Sequence, residues 1–294
     1  MLKKLIYFTF FVLVPGPALT GTASAELMGW WKFDEGSGTI AQDSSRYNND
    51  VFFYGDPQWV TGYYNSGLEF DGSDDCLDRG VYEPVLDIVG ELTMTAWIKP
   101  GATLRDHEIG GNITIGPNGG GYMLGVYSND NLELEVRSSA GTSAPPSRPG
   151  GGTMLQTDTW YFVAGTYSQT PDGGVITTYV NGELDAEMVT TIVMDPSPGT
   201  FKIGRDPQTP GAGQFIGVID DVRVYNHVLT EKELRDAMLG KWPPSEIAFA
   251  PRPEDEQVDV PRDAALSWTP GIHAQKHDVY FGTSSPPPFI QNQT

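Results

Sequence analysis

The stretch Leu92-Thr93-Met94-Thr95-Ala96-Trp97-Ile98 alternates with a period of two. In an extended chain Leu92, Met94, Ala96 and Ile98 share one face while Thr93, Thr95 and Trp97 share the other, which is the pattern of a strand laid on a core. The same period recurs at residues 30–33, 67–70, 122–127, 132–136, 161–167, 175–180 and 215–225. Between these runs lies turn chemistry: Ser128-Asn129-Asp130-Asn131, Thr170-Pro171-Asp172-Gly173-Gly174, and the type I′ pair Asn181-Gly182. Many short strands joined by such turns predict an all-β chain, a sandwich or a barrel.

One short helix is expected near the end of this body. Thr230 is placed as its cap, Glu233 completes a capping box, Leu229 can staple onto Leu234, and Gly240 follows the last turn. The helix is expected on the sandwich edge. The glycine- and proline-rich stretches 110–121 and 141–152 read as exposed loops. At the other end, Lys3 and Lys4 precede an apolar run over residues 5–14, and Ala23-Ser24-Ala25 offers the small residues of a cleavage site. Residues 1–25 therefore read as a signal peptide, and the mature chain is expected to begin at Glu26, to be secreted or held at the cell surface, and not to span a membrane. Residues 26–241 form the main domain and 242–250 a Pro-rich linker. Alternating fragments around 258–260, 266–268 and 279–281 suggest a truncated β module over 251–294, with no strand expected after Pro286-Pro287-Pro288.

The chain carries 18 basic and 38 acidic residues, a net charge of -20. A polyanion needs a Lys/Arg surface to release its counterions, so nucleic acid is not an expected partner. Cys76 is the one cysteine, which excludes an internal disulfide and leaves the core to hold the fold. Between Asp75 and Leu77, it is expected to be a small buried hydrophobe.

Four separated motifs stand in order: Trp31-Lys32-Phe33-Asp34-Glu35-Gly36-Ser37-Gly38 leading to Asp43-Ser44-Ser45 and Asn48-Asn49; Leu68-Glu69-Phe70-Asp71-Gly72-Ser73-Asp74-Asp75; Thr95-Ala96-Trp97-Ile98-Lys99-Pro100; and Gly217-Val218-Ile219-Asp220-Asp221-Val222-Arg223-Val224-Tyr225-Asn226. Together they resemble the laminin-G-like, concanavalin A-like domains of bacterial secreted proteins. The resemblance implies an antiparallel two-sheet jelly-roll sandwich. The fragments after residue 251 resemble the first strands of a fibronectin-type-III-like module. Since this fold carries binding proteins and glycan hydrolases alike, function has to be read from the site.

Regular alternation would put Asp220 on one face with Ile216, Val218, Val222 and Val224, sending a carboxylate into the apolar side of the sheet. A buried carboxylate needs compensation, and a structural calcium ion is one source of it. The resemblance supports that assignment, with Asp34, Asp43, Asn48 and Asn49 as the remaining candidate ligands. The alternatives are a β-bulge at Asp220-Asp221 that turns both outward, or pairing with Arg223. Glu183-Leu184-Asp185-Ala186-Glu187 has the E-x-D-x-E spacing of laminarinase-like retaining glycoside hydrolases, which implies Glu183 as nucleophile, Asp185 as orienter and Glu187 as acid/base. Against that reading, the motif begins directly after a hairpin turn and lacks the usual tryptophan-proline approach. The favoured expectation is a non-catalytic module binding glycans or extracellular proteins, with Trp97, Tyr122, Tyr127 and Trp160 as a stacking platform and Arg137 and Arg205 as polar contacts. A spacer role in an adhesin is the third reading.

Overall fold

The computed structural model of the chain describes residues 26–101, 107–116, 118–127, 130–139, 152–207 and 213–241, together with short strands at 249–252, 267–269, 277–280 and 289–293. The leader to Ala25, the turn residues Ser128 and Asn129, most of the 141–152 loop, the linker to residue 248 and the fragment 258–260 lie outside the described residues. The body comprises β1 (Leu27–Trp31), β2 (Ile40–Ala41), β3 (Val51–Tyr54), β4 (Gln58–Thr61), β5 (Ser66–Asp71), β6 (Cys76–Asp78), β7 (Leu92–Pro100) and β8 (His107–Gly111). After these come β9 (Gly121–Tyr127), β10 (Asn131–Arg137), β11 (Tyr161–Thr170), β12 (Gly173–Val180), β13 (Glu183–Thr190), β14 (Lys202–Ile203), β15 (Ile216–Tyr225) and helix α1 (Glu231–Met238).

These strands form two antiparallel sheets. One has eight strands in the order β13-β12-β11-β7-β15-β5-β4, with β1 added onto β15; the other has seven, β10-β9-β8-β14-β6-β3-β2. Leu92, Met94, Ala96 and Ile98 from the first sheet meet Tyr122, Leu124, Val126, Leu132 and Leu134 from the second in one buried core. The expected sandwich is therefore the observed one, with the alternation of β7 setting its inner face.

Trp97 points the other way, as the alternation requires. With Leu27, Trp30, Phe162, Ala164 and Tyr225 it makes a second apolar cluster on the outer face of the eight-stranded sheet, closed by Leu229, Leu234 and Ala237. Helix α1 thus lies on that face and not on the edge, because so many large outward side chains would otherwise stay wet. Its capping box is formed as expected: the Thr230 side chain accepts from the Glu233 N–H, and the Glu233 carboxylate accepts from the Thr230 N–H.

Beyond the body, β16 (Phe249–Arg252) pairs with β17 (Ser267–Thr269), and β18 (His277–Tyr280) with β19 (Phe289–Gln293). They make two separate two-stranded ladders. β16 takes the last two residues of the expected linker. β19 corrects the expectation that no strand follows the triple proline.

Candidate functional site

Among the described residues, no helix lies on the outer face of the seven-stranded sheet. Its inner residues include Val51, Leu77, Ile109, Leu124, Leu134 and Ile203. The alternate positions face outward and line up across the strands. Register places Glu135 beside Met123, Met123 beside Gly111, Gly111 beside Lys202, Lys202 beside Asp78, Asp78 beside Phe52, and Phe52 beside Ile40. Seven strands about 4.8 Å apart make this row ~29 Å long.

The two ends of the row differ. At the β10 end Glu108, Glu133 and Glu135 are buried. Glu133 and Glu108 both pair with Gly125, and a side chain there would run into the Glu108 carboxylate, so only glycine leaves that group its place. At the β3 end Phe52 and Tyr54 are 40% and 49% exposed. Two residues apart on one strand, they lie ~7 Å from each other on the same face. Lys202 and Asp78, at 3.2 Å, form an ion pair beside them. Sequence reasoning missed this pair of rings because Val51-Phe52-Phe53-Tyr54 is apolar throughout and shows no contrast between its faces. The usable signal was its position between two turn-rich stretches, which marks a strand whose every second residue must face out.

The aromatic residues expected to bind do not form one platform. Tyr122 is fully buried in the main core, and its hydroxyl donates to the Leu86 carbonyl; burial pushes that hydroxyl far above the ordinary phenol range. Tyr127 is buried, its hydroxyl 2.7 Å from the Glu108 carboxylate. Trp97 is covered by Tyr63, whose ring stacks on it at 3.4 Å between centroids. Trp160 is half-buried, edge-on to Tyr63, and has the Lys99 ammonium 5.7 Å from its ring. Arg137 is engaged by Glu135 at 2.6 Å. Arg205 sits beside Cys76, 3.9 Å from its sulfur; Cys76 is buried as expected, and burial raises its thiol pKa.

Asp220 is 0% exposed, yet it does not point into the core. The ladder between β15 and β7 slips between Asp220 and Arg223, and Asp221 takes a left-handed backbone with φ 48°. This β-bulge puts Ile219, Val222 and Val224 on the core side, which corrects the face assigned by regular alternation. The Asp220 carboxylate accepts the Tyr64 N–H at 2.9 Å, and the Tyr63 amide also bonds to it. Burial is the main reason that its pKa rises to about 8. Asp221 pairs with buried Arg223 at 2.9 Å and accepts from the Trp30 indole N–H; the Arg223 guanidinium lies 4.1 Å from the Trp30 ring. The sequence alternatives of a bulge and of an Arg223 partner are thus both present, the partner belonging to Asp221.

The nominated calcium ligands do not make one oxygen-donor set. Asp43 accepts the backbone N–H groups of Trp30, Ser45 and Asn49 and the Ser45 hydroxyl. Asn49 donates to the Met28 carbonyl, Asn48 is exposed, and Asp34 accepts from Asn65. Asp34, Asp43 and Asp220 do not bring oxygens within 4.8 Å of one another; among the described residues the one acidic trio that does is Asp71, Asp74 and Asp75. The Asp220 Oδ2 atom faces N–H donors, while its buried Oδ1 has no hydrogen-bond partner. As arranged, the three aspartates do not share one ion.

The Glu183-x-Asp185-x-Glu187 motif lies on β13, the outermost strand of its sheet. A register shift makes Asp185 the extra residue, so Glu183 pairs with core-facing Val180 and Glu187 with outward Thr177. The two glutamates therefore belong to opposite faces, contrary to simple alternation. Asp185 accepts the Thr153 N–H at 2.7 Å and ties that loop to the strand.

Two facing sheets, a helix sealing one outer face and an aromatic, ion-paired strip on the other define the class, a jelly-roll β-sandwich domain. The chain belongs to the Concanavalin A-like lectin/glucanases superfamily, whose laminin-G-type family model matches residues 71–235. A comparison with curated protein sequences finds no match. Among solved structures, domain 4 of AbnA, a GH43 extracellular arabinanase from Geobacillus stearothermophilus in complex with arabinotriose, is 18% identical, with a TM-score of 0.51 and coverage of 72% of this chain and 98% of that one. The binding domain of Paraclostridial Mosquitocidal Protein 1 is 14% identical, with a TM-score of 0.54 over 73% of this chain and 51% of that one. Trypanosoma rangeli sialidase in complex with the inhibitor DANA is 21% identical, with a TM-score of 0.50 over 70% of this chain and 32% of the sialidase. The chain thus spans about half and about a third of those last two proteins. At these identities the likeness is one of fold. No helix among the described residues is long and apolar enough to cross a membrane.

Proposed function

We propose that residues 26–241 are a non-catalytic carbohydrate-recognition domain of a secreted or cell-surface protein, followed by a further β module. The observation that carries this reading is the exposed pair Phe52 and Tyr54 beside the Lys202–Asp78 ion pair, on the sheet face that no described helix covers. Aromatic rings offer flat apolar area to the C–H face of a sugar, and a neighbouring ion pair offers donors and acceptors to its hydroxyls. The leader-like first 25 residues and the likeness to a domain of an extracellular arabinanase support the location. The separation of Glu183 from Glu187 onto opposite faces supports the non-catalytic part.

The test is titration calorimetry of the full chain with a panel of soluble oligosaccharides, arabinotriose and laminarin fragments included, against the Phe52→Ala/Tyr54→Ala double variant. Both side chains are surface-exposed, so the variant is expected to fold. Its Kd should rise at least about tenfold, roughly 1.4 kcal/mol. Equal binding by both proteins, or reducing ends released from laminarin by the unmutated chain and not by Glu183→Gln, would overturn the reading.

A further inference from the structure

A second feature of the surface shares no lining residue with the Phe52/Tyr54 strip. A cavity of about 300 Å³ opens among three loops: Tyr82 and Asp87 come from the segment before β7, Asn118 from the connection of β8 to β9, and Pro196, Ser197 and Pro198 from the approach to β14. Its floor is fixed. Ser197 is buried, its N–H donates to the Asp87 carboxylate at 2.6 Å, its hydroxyl donates to the Asn112 carbonyl and meets the Thr114 hydroxyl at 2.7 Å, and it accepts the Gly199 N–H at 3.1 Å. The wall is fixed as well: the Tyr82 hydroxyl donates to the other Asp87 oxygen at 2.7 Å, which holds the ring in place although the residue is 47% exposed. Asn118 is exposed and has a φ of 75°, a backbone state that L-residues adopt at some cost.

We propose that this cavity is a binding site for one neutral sugar ring. It stands at the lower end of the size range of ligand pockets, which suits one ring and not a chain. Tyr82, Pro196 and Pro198 provide apolar walls for the C–H face of a pyranose or furanose. Each Asp87 oxygen keeps a second lone pair for a sugar hydroxyl, and the Asn118 amide both donates and accepts, so the two together match a pair of neighbouring hydroxyls. No Lys or Arg is among the residues lining the cavity, and the chain carries a net charge of -20, so an anionic sugar is disfavoured. Preorganisation of Asp87 and Tyr82 removes part of the ordering cost of binding. The inference rests on the carbohydrate reading above but names a different site, and the two are separable by mutation.

The experiment is ligand-observed NMR and calorimetry on the full chain, with the methyl glycosides of glucose, galactose, mannose and arabinose, and with sialic acid as the anionic probe. The variants are Tyr82→Ala, Asn118→Gly, which removes the amide while tolerating the positive φ, and the Phe52→Ala/Tyr54→Ala double. Near-ultraviolet circular dichroism checks that each is folded. At least one neutral methyl glycoside should bind the unmutated chain, and bind Tyr82→Ala and Asn118→Gly at least tenfold more weakly. Sialic acid should not compete. Absence of binding by every neutral probe, undiminished binding in both pocket variants, or preference for sialic acid would each overturn the proposal. Oligosaccharide binding that survives in the double variant refutes the strip while leaving the pocket standing.

Discussion

Replacement of Asp220 by asparagine should flatten the dependence of stability on pH. The carboxyl group is fully buried and its pKa is raised from 3.8 to about 8, mainly by burial. The folded chain therefore keeps a proton that the unfolded chain releases anywhere between those two values. Unfolding releases it, so stability falls as pH rises through that window, and the loss levels off above about pH 8, where both states are ionised. The slope is at most about 1.4 kcal/mol per pH unit, and the whole window amounts to something on the order of 5 kcal/mol. Asparagine has the same shape, and its carbonyl oxygen can still accept the Tyr63 and Tyr64 amides. Its NH2 group takes the place of the Oδ1 atom, which has no hydrogen-bond partner. That liability is shared with the protonated aspartic acid, so the two proteins should be close in stability near pH 5 and diverge towards pH 8, the variant being the more stable. Urea unfolding followed by tryptophan fluorescence at pH 5, 6, 7 and 8 gives the difference between the two chains, in which groups distant from Asp220 cancel. A difference that does not change over that range would refute the buried, protonated carboxyl.

Other consequences of the packing can be measured directly. Leu124→Ala empties a position in the centre of the core and should cost about 2–5 kcal/mol in urea unfolding. Thr230→Ala breaks the capping box of α1 and should cost about 1 kcal/mol, seen as a lower thermal midpoint. Gly62→Ala places a methyl group 2.6 Å from the Asp220 carboxylate, which should displace the hairpin turn between β4 and β5 and destabilise by about 1–3 kcal/mol. Cys76, buried and with its thiol pKa raised by burial, should react with a thiol reagent only after denaturant is added; rapid labelling of the native chain would contradict its placement.

The strands were legible because a period of two is a local property, and Leu92–Ile98 states it without interruption. The cap on α1 was legible for the same reason, since Thr230 and Glu233 are three residues apart. The bulge at Asp220-Asp221 was not, because a register slip is decided by three neighbours at once: β7 on one side, and β1 and β5 on the other. An acid before an acid in an apolar strand raises the question of compensation, but it does not say whether a cation or an amide answers it. Asp43 is a related case. An aspartate two residues before a serine is a turn signal, and Asp43 accepts the Ser45 N–H in that way while also holding Trp30 and Asn49.

What places the candidate site is a consequence of how the apolar area is divided. The outward positions of β1, β7, β11 and β15 carry Leu27, Trp30, Trp97, Phe162 and Tyr225, more apolar surface than a sheet can leave in water. α1 and the Tyr63-Tyr64 turn cover it, and Asp220 fastens that turn through its amides. Trp97 and Trp160, two of the aromatic residues that looked best for binding, are therefore consumed in closing one face. On the other sheet, the outward positions of β3, β6 and β14 alternate Phe52, Tyr54, Asp78 and Lys202 with core residues. That mixture demands no helix above it. Exposed rings are left at the β3 end of the sheet that no described helix covers, because the helix was required by the other one, and so the face offered to a ligand is set by the tryptophans that are not.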